Sequence, residues 1–250
     1  MCGLDAQYPI MSLKGCQSLI ASATNTAVMT DPQRAGVIIA GGFSTRFGES
    51  EKAVADLEGT PMIARVAERL ARVTDELIVN CRSEQVDVLT HALEELPANY
   101  RVAVDPTPDL GPLAGIQAGL EAAEAPLSAV VACDMPFVDP AFLAFLFEMA
   151  EGETDGTDED RELLSHTNPA AVVPKLEDGW YQTTQAVYRT ESMAAACREA
   201  LEADEGKILS ALDRLEWVVV DESTVLEHTT LDTFESVDTQ AELEAARERL

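Results

Sequence analysis

The sequence predicts an α/β protein in which a mostly parallel sheet lies between two layers of helices, a three-layer α/β/α sandwich. Short runs that are apolar throughout alternate with longer segments whose apolar side chains recur at helical spacing. Strands without a polar face are typical of parallel sheets that helices cover on both sides. Hydrophobic residues make up 46% of the chain, which is enough to build the core of such a fold.

Four strand–helix pairs are predicted first. Apolar runs predict strands at residues 37–40, 77–79, 102–104 and 129–132. Helical spacing of apolar residues predicts helices at residues 62–73, 86–96, 113–120 and 140–150. Thr60 and Pro61 predict the start of the first helix, with Thr60 as its N-cap and Pro61 as its first residue.

The alternation then breaks at an acidic stretch, residues 151–166, which is predicted to be a solvated surface loop. Strands are expected beyond it at residues 171–173, 185–189 and 217–220, with helices at residues 191–202 and 239–250. We interpret residues 35–250 as a single domain. Residues 1–34 are expected to be a tail or a mis-called start, because Met29 lies just before the first strand.

The charge of the chain excludes several classes of function. Seventeen Lys and Arg stand against 45 Asp and Glu, so the formal net charge is −28. Such a surface repels phosphate backbones, and general nucleic-acid binding is not expected. The acid is spread along the whole chain, which favours a protein of a salt-loving organism over an acidic mesophilic one. No apolar run approaches the ~18 residues of a membrane span, so membrane insertion is not expected either.

Cysteine usage predicts a reducing compartment. The five Cys are dispersed without a C-x-x-C pair, and three His are too few to indicate a zinc site. This pattern predicts a cytoplasmic protein with reduced thiols.

The main chemical signal follows the first strand, where Ile39 and Ala40 lead into Gly41 and Gly42. Paired glycines let the backbone turn sharply, and successive free N–H groups then form a concavity that binds anions. Downstream, Arg46 and Lys52 are placed to neutralise charge on a polyphosphate. The spacing matches neither the Walker loop nor the dinucleotide-binding fingerprint.

Asp134 directly follows the fourth predicted strand. Ligands of open α/β sheets bind at the carboxyl ends of the strands. Mg²⁺ takes one or two protein carboxylates together with substrate phosphates and water, so Asp134 is a candidate metal ligand without any His or Cys nearby. The alternative is an N-cap or turn aspartate before Pro136.

Four motifs occur in the order of one enzyme family. The stretch AGGFSTRFGESEK resembles the signature loop of sugar-nucleotide-type nucleotidyltransferases. The stretches GPLAGI, which begins at Gly111, CDMP and FESVDTQAEL are similar to motifs of molybdenum cofactor guanylyltransferases. The resemblance extends from about residue 36 to residue 250.

The resemblance implies a Rossmann-like nucleotide-diphosphosugar transferase fold. It also implies an enzyme that transfers GMP from GTP to molybdenum–molybdopterin and releases pyrophosphate, with Mg²⁺ as its cofactor. It implies that Arg46 and Lys52 are catalytic and that Asp134 and Asp238 hold the metal. Asp238 could instead be the N-cap of the last helix. The nucleotide-binding residues that it implies are Ile39, Ala40, Gly41, Gly42, Lys52, Asn80, Asp105, Gly111 and Asp134.

The acceptor side follows the family less closely. Where the family has a Pro-x-His-like stretch, this chain has YQTTQAVY, residues 181–188, and that stretch is expected to face the pterin. The alternatives are a molybdopterin cytidylyltransferase, a cobinamide-phosphate guanylyltransferase or a catalytically silent nucleotide-binding member. The resemblance also implies molybdoenzyme apo-proteins or insertion chaperones as partners.

Overall fold

A computed structural model of the chain describes residues 32–42, 51–105, 111–152 and 168–250. Three predictions fall outside these ranges: almost all of the N-terminal tail, Arg46, and the acidic loop beyond its first two residues. They stay predictions.

Nine strands are present in the described part of the chain. In chain order they are β1 (Arg34–Ile39), β2 (Asp56–Leu57), β3 (Thr60–Pro61), β4 (Glu76–Cys81), β5 (Tyr100–Val104), β6 (Leu127–Ala132), β7 (Ala171–Lys175), β8 (Gln185–Arg189) and β9 (Trp217–Asp221). Seven of them form one sheet in the spatial order β5–β4–β1–β6–β8–β7–β9, and β2 pairs only with β3. Strand β8 is antiparallel to both of its neighbours, whereas all other neighbouring pairs are parallel. The prediction of a mostly parallel sheet is confirmed.

Helices cover both faces of this sheet. The described helices are α1 (Met62–Leu70), α2 (Val86–Ala92), α3 (Pro112–Ala122), α4 (Pro140–Glu151), α5 (Thr190–Glu202), α6 (Ile208–Leu212), α7 (Glu222–His228) and α8 (Gln240–Arg247). Helices α1, α2, α4 and α7 share one apolar cluster with the sheet, and α3, α5 and α6 share the other. This arrangement confirms the three-layer α/β/α fold.

The central strands show why their sequences lack a polar face. Successive side chains of a strand point to opposite faces of the sheet. In β1, Val37 belongs to the cluster beneath α3, whereas Ile38 belongs to the cluster beneath α1 and α4. Both side chains have no exposed surface. Because each face is covered, the buried positions of β1, from Ala35 to Ile38, carry no polar side chain.

The predicted start of the first helix was wrong by one residue. Thr60–Pro61 is the second strand of a small hairpin, in which Leu57 pairs with Thr60 across Glu58 and Gly59. Both turn residues have positive φ, as in the tight turns that match the twist of a hairpin. The pairing holds Pro61 at ψ 141°, so Pro61 becomes the N-cap and the helix begins at Met62.

Several helix ends also differ from the prediction. Helix α1 ends at Leu70 and α2 at Ala92, so Val73 and Leu96 pack against the core from the turns that follow. Helices α6 and α7, which are five and seven residues long, were not predicted. No helix of the described residues combines the length and the apolar composition that crossing a membrane requires.

Candidate functional site

The parallel strands place the predicted site residues along one edge of the sheet. In the ladder, Ile39 of β1 lies level with Asn80 on one side and with Ala132 on the other. Ala40 continues this pairing, because its N–H donates to the Asn80 carbonyl at 2.9 Å. Asp105 follows the end of β5 and Asp134 lies in the turn after β6, so residues far apart in sequence meet at this edge.

A cavity of about 610 Å³ opens at this edge. Among the described residues, every predicted nucleotide or metal position contributes to its wall: Ile39, Ala40, Gly41, Gly42, Lys52, Asn80, Asp105, Gly111, Asp134 and Asp238. Arg46 lies outside the described residues. The structure therefore brings together all the predicted positions that it describes.

Three charged side chains contact one another at one end of the cavity. The Lys52 ammonium donates to Asp134 Oδ2 at 2.6 Å and to Asp238 Oδ1 at 2.5 Å. Burial by itself lowers the pKa of Lys52, but the Asp134 and Asp238 carboxylates outweigh it and the net pKa is raised. Lys52 therefore carries its positive charge throughout the physiological range.

Asp238 reaches this end through the C-terminal segment. The Val237 N–H donates to the Asp134 carbonyl at 2.9 Å, which fixes Asp238 beside Asp134. Thr239, rather than Asp238, is the N-cap of α8, where it forms a capping box with Glu242. The alternative role of Asp238 as an N-cap was therefore wrong, and its carboxylate is directed to Lys52 instead.

At the other end of the cavity, a buried amide is hydrogen-bonded to a partly buried carboxylate, and glycines pack closely around them. Asn80 is fully buried, and its Nδ2 donates to Asp105 Oδ1 at 2.6 Å and to the Ala103 carbonyl at 3.2 Å. The Asn80 Oδ1 atom is buried and has no hydrogen-bond partner among the described residues. Burial raises the pKa of Asp105, although the Asn80 amide and the Arg82 guanidinium act in the opposite direction.

Glycines give this end its shape. A Cβ atom on Gly115 would lie 2.5 Å from Asn80 Oδ1, and one on Gly41 would lie 2.6 Å from Asp105 Oδ2. Both distances are shorter than a real Cβ contact, so a side chain at either position would displace Asn80 or Asp105. Gly111, which precedes α3, has a φ of 81° that other residues rarely adopt. It directs the first turn of α3 to the cavity wall, where Pro112 and Ala114 also lie.

Sequence reasoning missed several residues of the wall, among them Arg82, Cys133 and Thr184. Arg82 had a usable signal, because a cation two residues after Asn80 is unusual in a chain with few basic residues. Thr184 was not singled out, although it belongs to residues 181–188, the stretch expected to face the acceptor. It reaches the wall because β8 runs antiparallel to β6, where its carbonyl accepts from the Ala132 N–H at 3.1 Å.

Comparison with known proteins agrees with this geometry. The family model of a MobA-like NTP transferase domain matches residues 36–217. A probable molybdenum cofactor guanylyltransferase of Natronomonas pharaonis is 47% identical over 218 residues, which cover 87% of this chain and 98% of the relative. A second, from Haloferax mediterranei, is 33% identical over 219 residues, with coverages of 88% and 95%.

A solved structure shows the same fold. The molybdopterin-guanine dinucleotide biosynthesis protein A of Archaeoglobus fulgidus superposes with a TM-score of 0.66 at 26% identity, covering 86% of this chain and 97% of that protein. The family model spans most of the sheet edge described above, and the two archaeal relatives match over nearly their whole length. This chain belongs to the MobA-like NTP transferases and, within them, to the molybdenum cofactor guanylyltransferases.

Proposed function

We propose that the chain transfers GMP from GTP to molybdenum–molybdopterin, forming the guanine dinucleotide cofactor and releasing pyrophosphate. One observation carries the proposal: a single cavity has a lysine between two carboxylates at one end and a buried amide–carboxylate pair at the other. The first arrangement suits a polyphosphate with its metal, and the second suits a base.

The base end favours guanine over cytosine. Asp105 Oδ2 and Asn80 Oδ1 both lie within 3.6 Å of the point that a Cβ atom of Gly41 would occupy. The Asn80 Oδ1 atom is buried, so the acceptor that faces the cavity is the Asp105 carboxylate. Guanine presents two adjacent donors, N1–H and the 2-amino group, whereas cytosine presents acceptors at N3 and O2. A carboxylate can accept from both guanine donors and therefore selects the guanine edge.

The charged end of the cavity offers carboxylate oxygens, which are the ligands that Mg²⁺ prefers. The carboxylates of Asp134 and Asp238 converge on one cation, the Lys52 ammonium, so the space between them accommodates positive charge. No described group of three or more His, Cys, Asp and Glu side chains is arranged to hold a metal. Two carboxylates completed by phosphate oxygens and water are the usual Mg²⁺ environment. Bound there, the metal would neutralise charge on the phosphates.

The reaction needs no nucleophilic side chain. An oxygen of the acceptor's terminal phosphate attacks the α-phosphorus of GTP, a new P–O bond forms, and the bond to the β-phosphate breaks to release pyrophosphate. Lys52 neutralises charge that develops on the leaving group. The Cys133 thiol lines the cavity, but burial raises its pKa far above neutrality, so it stays protonated and is not a nucleophile.

Pyrophosphate release from purified chain tests the proposal, with GTP, CTP or ATP supplied in turn beside molybdenum–molybdopterin. We expect release with GTP that depends on both the acceptor and Mg²⁺. Preference for CTP would identify a cytidylyltransferase, and activity with cobinamide phosphate would identify that alternative acceptor. Nucleotide binding without turnover would indicate a silent member of the family.

Location and partners belong to the same proposal. The described cysteines Cys81, Cys133 and Cys197 are all free and buried, which supports the predicted cytoplasmic location. We further propose that the product passes to molybdoenzyme apo-proteins or insertion chaperones. Pull-down from the native cell extract with the product-loaded enzyme tests this handover.

A further inference from the structure

Gln85 is a buried polar residue behind the cavity, and nothing in the reaction described above uses it. It ends the short 3-10 helix at Ser83–Gln85, between β4 and α2, and only 1% of its surface is exposed. It does not line the cavity. A buried amide is costly unless each of its donors and acceptors is paired, so its partners indicate what it holds.

All four hydrogen-bonding capacities of the Gln85 amide are engaged. Its Nε2 donates to the Ala40 carbonyl at 3.1 Å and to Glu51 Oε2 at 2.9 Å. Its Oε1 accepts from the Arg82 backbone N–H at 3.0 Å and from Arg82 Nε at 3.2 Å. Arg82 closes the ring, because its guanidinium contacts Glu51 Oε1 at 3.4 Å.

The two groups that accept hydrogen bonds from Gln85 belong to separate segments that lead into the cavity wall. Ala40 directly precedes the paired glycines Gly41 and Gly42, and Glu51 directly precedes Lys52. One side-chain amide thus connects the glycine segment to the lysine segment. These segments must lie in a fixed relation if the glycine N–H groups and the Lys52 ammonium are to contact the same polyphosphate.

The hydrogen-bonded ring of Gln85, Arg82 and Glu51 also fixes the position of a negative charge that would oppose phosphate binding. The Glu51 carboxylate is negative and adjoins Lys52 in sequence. Gln85 and Arg82 together occupy both of its oxygens and hold it in place. Without the amide, the remaining contact from Arg82 is a long one.

We infer that Gln85 is a positioning residue for nucleotidyl transfer, which holds Ala40 and Glu51 so that the glycine segment and Lys52 engage the same triphosphate. The inference rests on the proposed function, because it assumes that a nucleoside triphosphate binds in this cavity. Gln85 acts through its neighbours and does not touch the substrate.

The first test replaces the amide with an apolar group of similar size. Gln85→Leu should lower kcat by about 10-fold to 100-fold with a smaller change in the KM for GTP, since misplacement of Lys52 affects the transition state most. Gln117→Leu is the matched control, because Gln117 is partly buried and bonds only within its own helix, to Glu121. That control should retain the wild-type kcat.

A second test separates positioning from stability. Gln85→Glu keeps the shape of the side chain. It replaces the Nε2 group, which donates to the Glu51 carboxylate and the Ala40 carbonyl, with an oxygen that accepts. The contacts with Arg82 stay favourable. Protonation of the introduced carboxyl group restores one donor, and burial and the adjacent Glu51 raise its pKa against the opposing effect of the Arg82 guanidinium. The ratio of variant to wild-type kcat should therefore rise several-fold between about pH 8 and about pH 6.

Both variants are measured per active site, with GTP binding and thermal unfolding measured in parallel. If Gln85 is only structural, the variants will unfold at lower temperature but keep the wild-type kcat per folded active site and a flat pH ratio, and the inference is overturned. If wild-type protein itself releases no pyrophosphate, the proposed function fails instead. A normal wild type with a slow Gln85→Leu and a normal Gln117→Leu supports the inference.

Discussion

The two ends of the cavity are constructed by different physical means. The phosphate end depends on ion pairs among Lys52, Asp134 and Asp238, which come from three distant parts of the chain. The base end depends on a buried amide, a carboxylate of raised pKa and two glycines at which a Cβ atom would displace these side chains. Charge tolerates small displacements because it acts over distance, whereas close packing does not. Variants at the two ends should therefore fail in different ways.

The largest effect is expected at the phosphate end. Lys52→Ala should lower kcat about 100-fold, because its ammonium stabilises charge that is greatest in the transition state. Steady-state kinetics with varied GTP measure the change. Lys207→Ala, which removes an exposed lysine ahead of α6, is the control. A raised KM with unaltered kcat would contradict the role given to Lys52.

At the base end, Asp105→Asn should act on binding instead. The variant keeps the shape but loses the charge and one acceptor, so the KM for GTP should rise about 10-fold to 100-fold. Discrimination against CTP should fall with it. Competition assays measure both quantities, and Asp87→Asn on the exposed face of α2 is the control. Unchanged selectivity would show that Asp105 does not read the base.

Packing at the base end gives a smaller effect. In Gly115→Ala the new methyl group would meet Asn80 Oδ1 at 2.5 Å, and relief of that contact should cost about 1–3 kcal/mol of stability. Gly42→Ala is the comparison for thermal stability, because no atom of the described residues lies within 4 Å of its Cβ position. Equal melting temperatures for the two variants would contradict the close approach of α3 to Asn80.

Salt distinguishes the site from the surface. At a net charge of −28, raising KCl should stabilise the fold, as the Debye length falls from ~10 Å at 0.1 M to ~3 Å at 1 M. The effect of Lys52→Ala should persist at molar salt, since the Lys52 side chain is only 11% exposed. Thermal melts and kinetics across a KCl series test both expectations. A melting temperature that is flat or falls with salt would remove the halophile interpretation.

The smallest effect concerns pH and stability. Burial raises the pKa of Asp105 in the folded state above its value in the unfolded chain. The contribution of Asp105 to stability is therefore present at low pH and is lost as pH rises through the folded-state pKa. Asp105→Asn should therefore melt at a higher temperature than wild type at neutral pH, and the difference should shrink as pH falls. Melts of the two proteins in one pH series measure it. A difference that grows on acidification would contradict the sign.

The sequence by itself determined the alternating architecture and most of the site. Apolar runs such as residues 37–40 identify parallel strands, because only strands covered on both faces lack a polar side. Since the carboxyl ends of parallel strands share one edge, Gly41, Asn80, Asp105 and Asp134 could be placed together before any coordinates. The family resemblance assigned Asn80 and Asp105 to the nucleotide and added Asp238.

Tertiary structure decided what local patterns do not encode. Strand pairing, rather than helix propensity, set Pro61 as an N-cap and moved the start of α1. The antiparallel placement of β8 brought Thr184 to the cavity wall. The engagement of Gln85 with Ala40 and Glu51 joins residues 45 and 34 positions away, and no periodicity reports a contact of that kind. Such contacts arise from packing the whole sheet, so they appear only when the chain is folded.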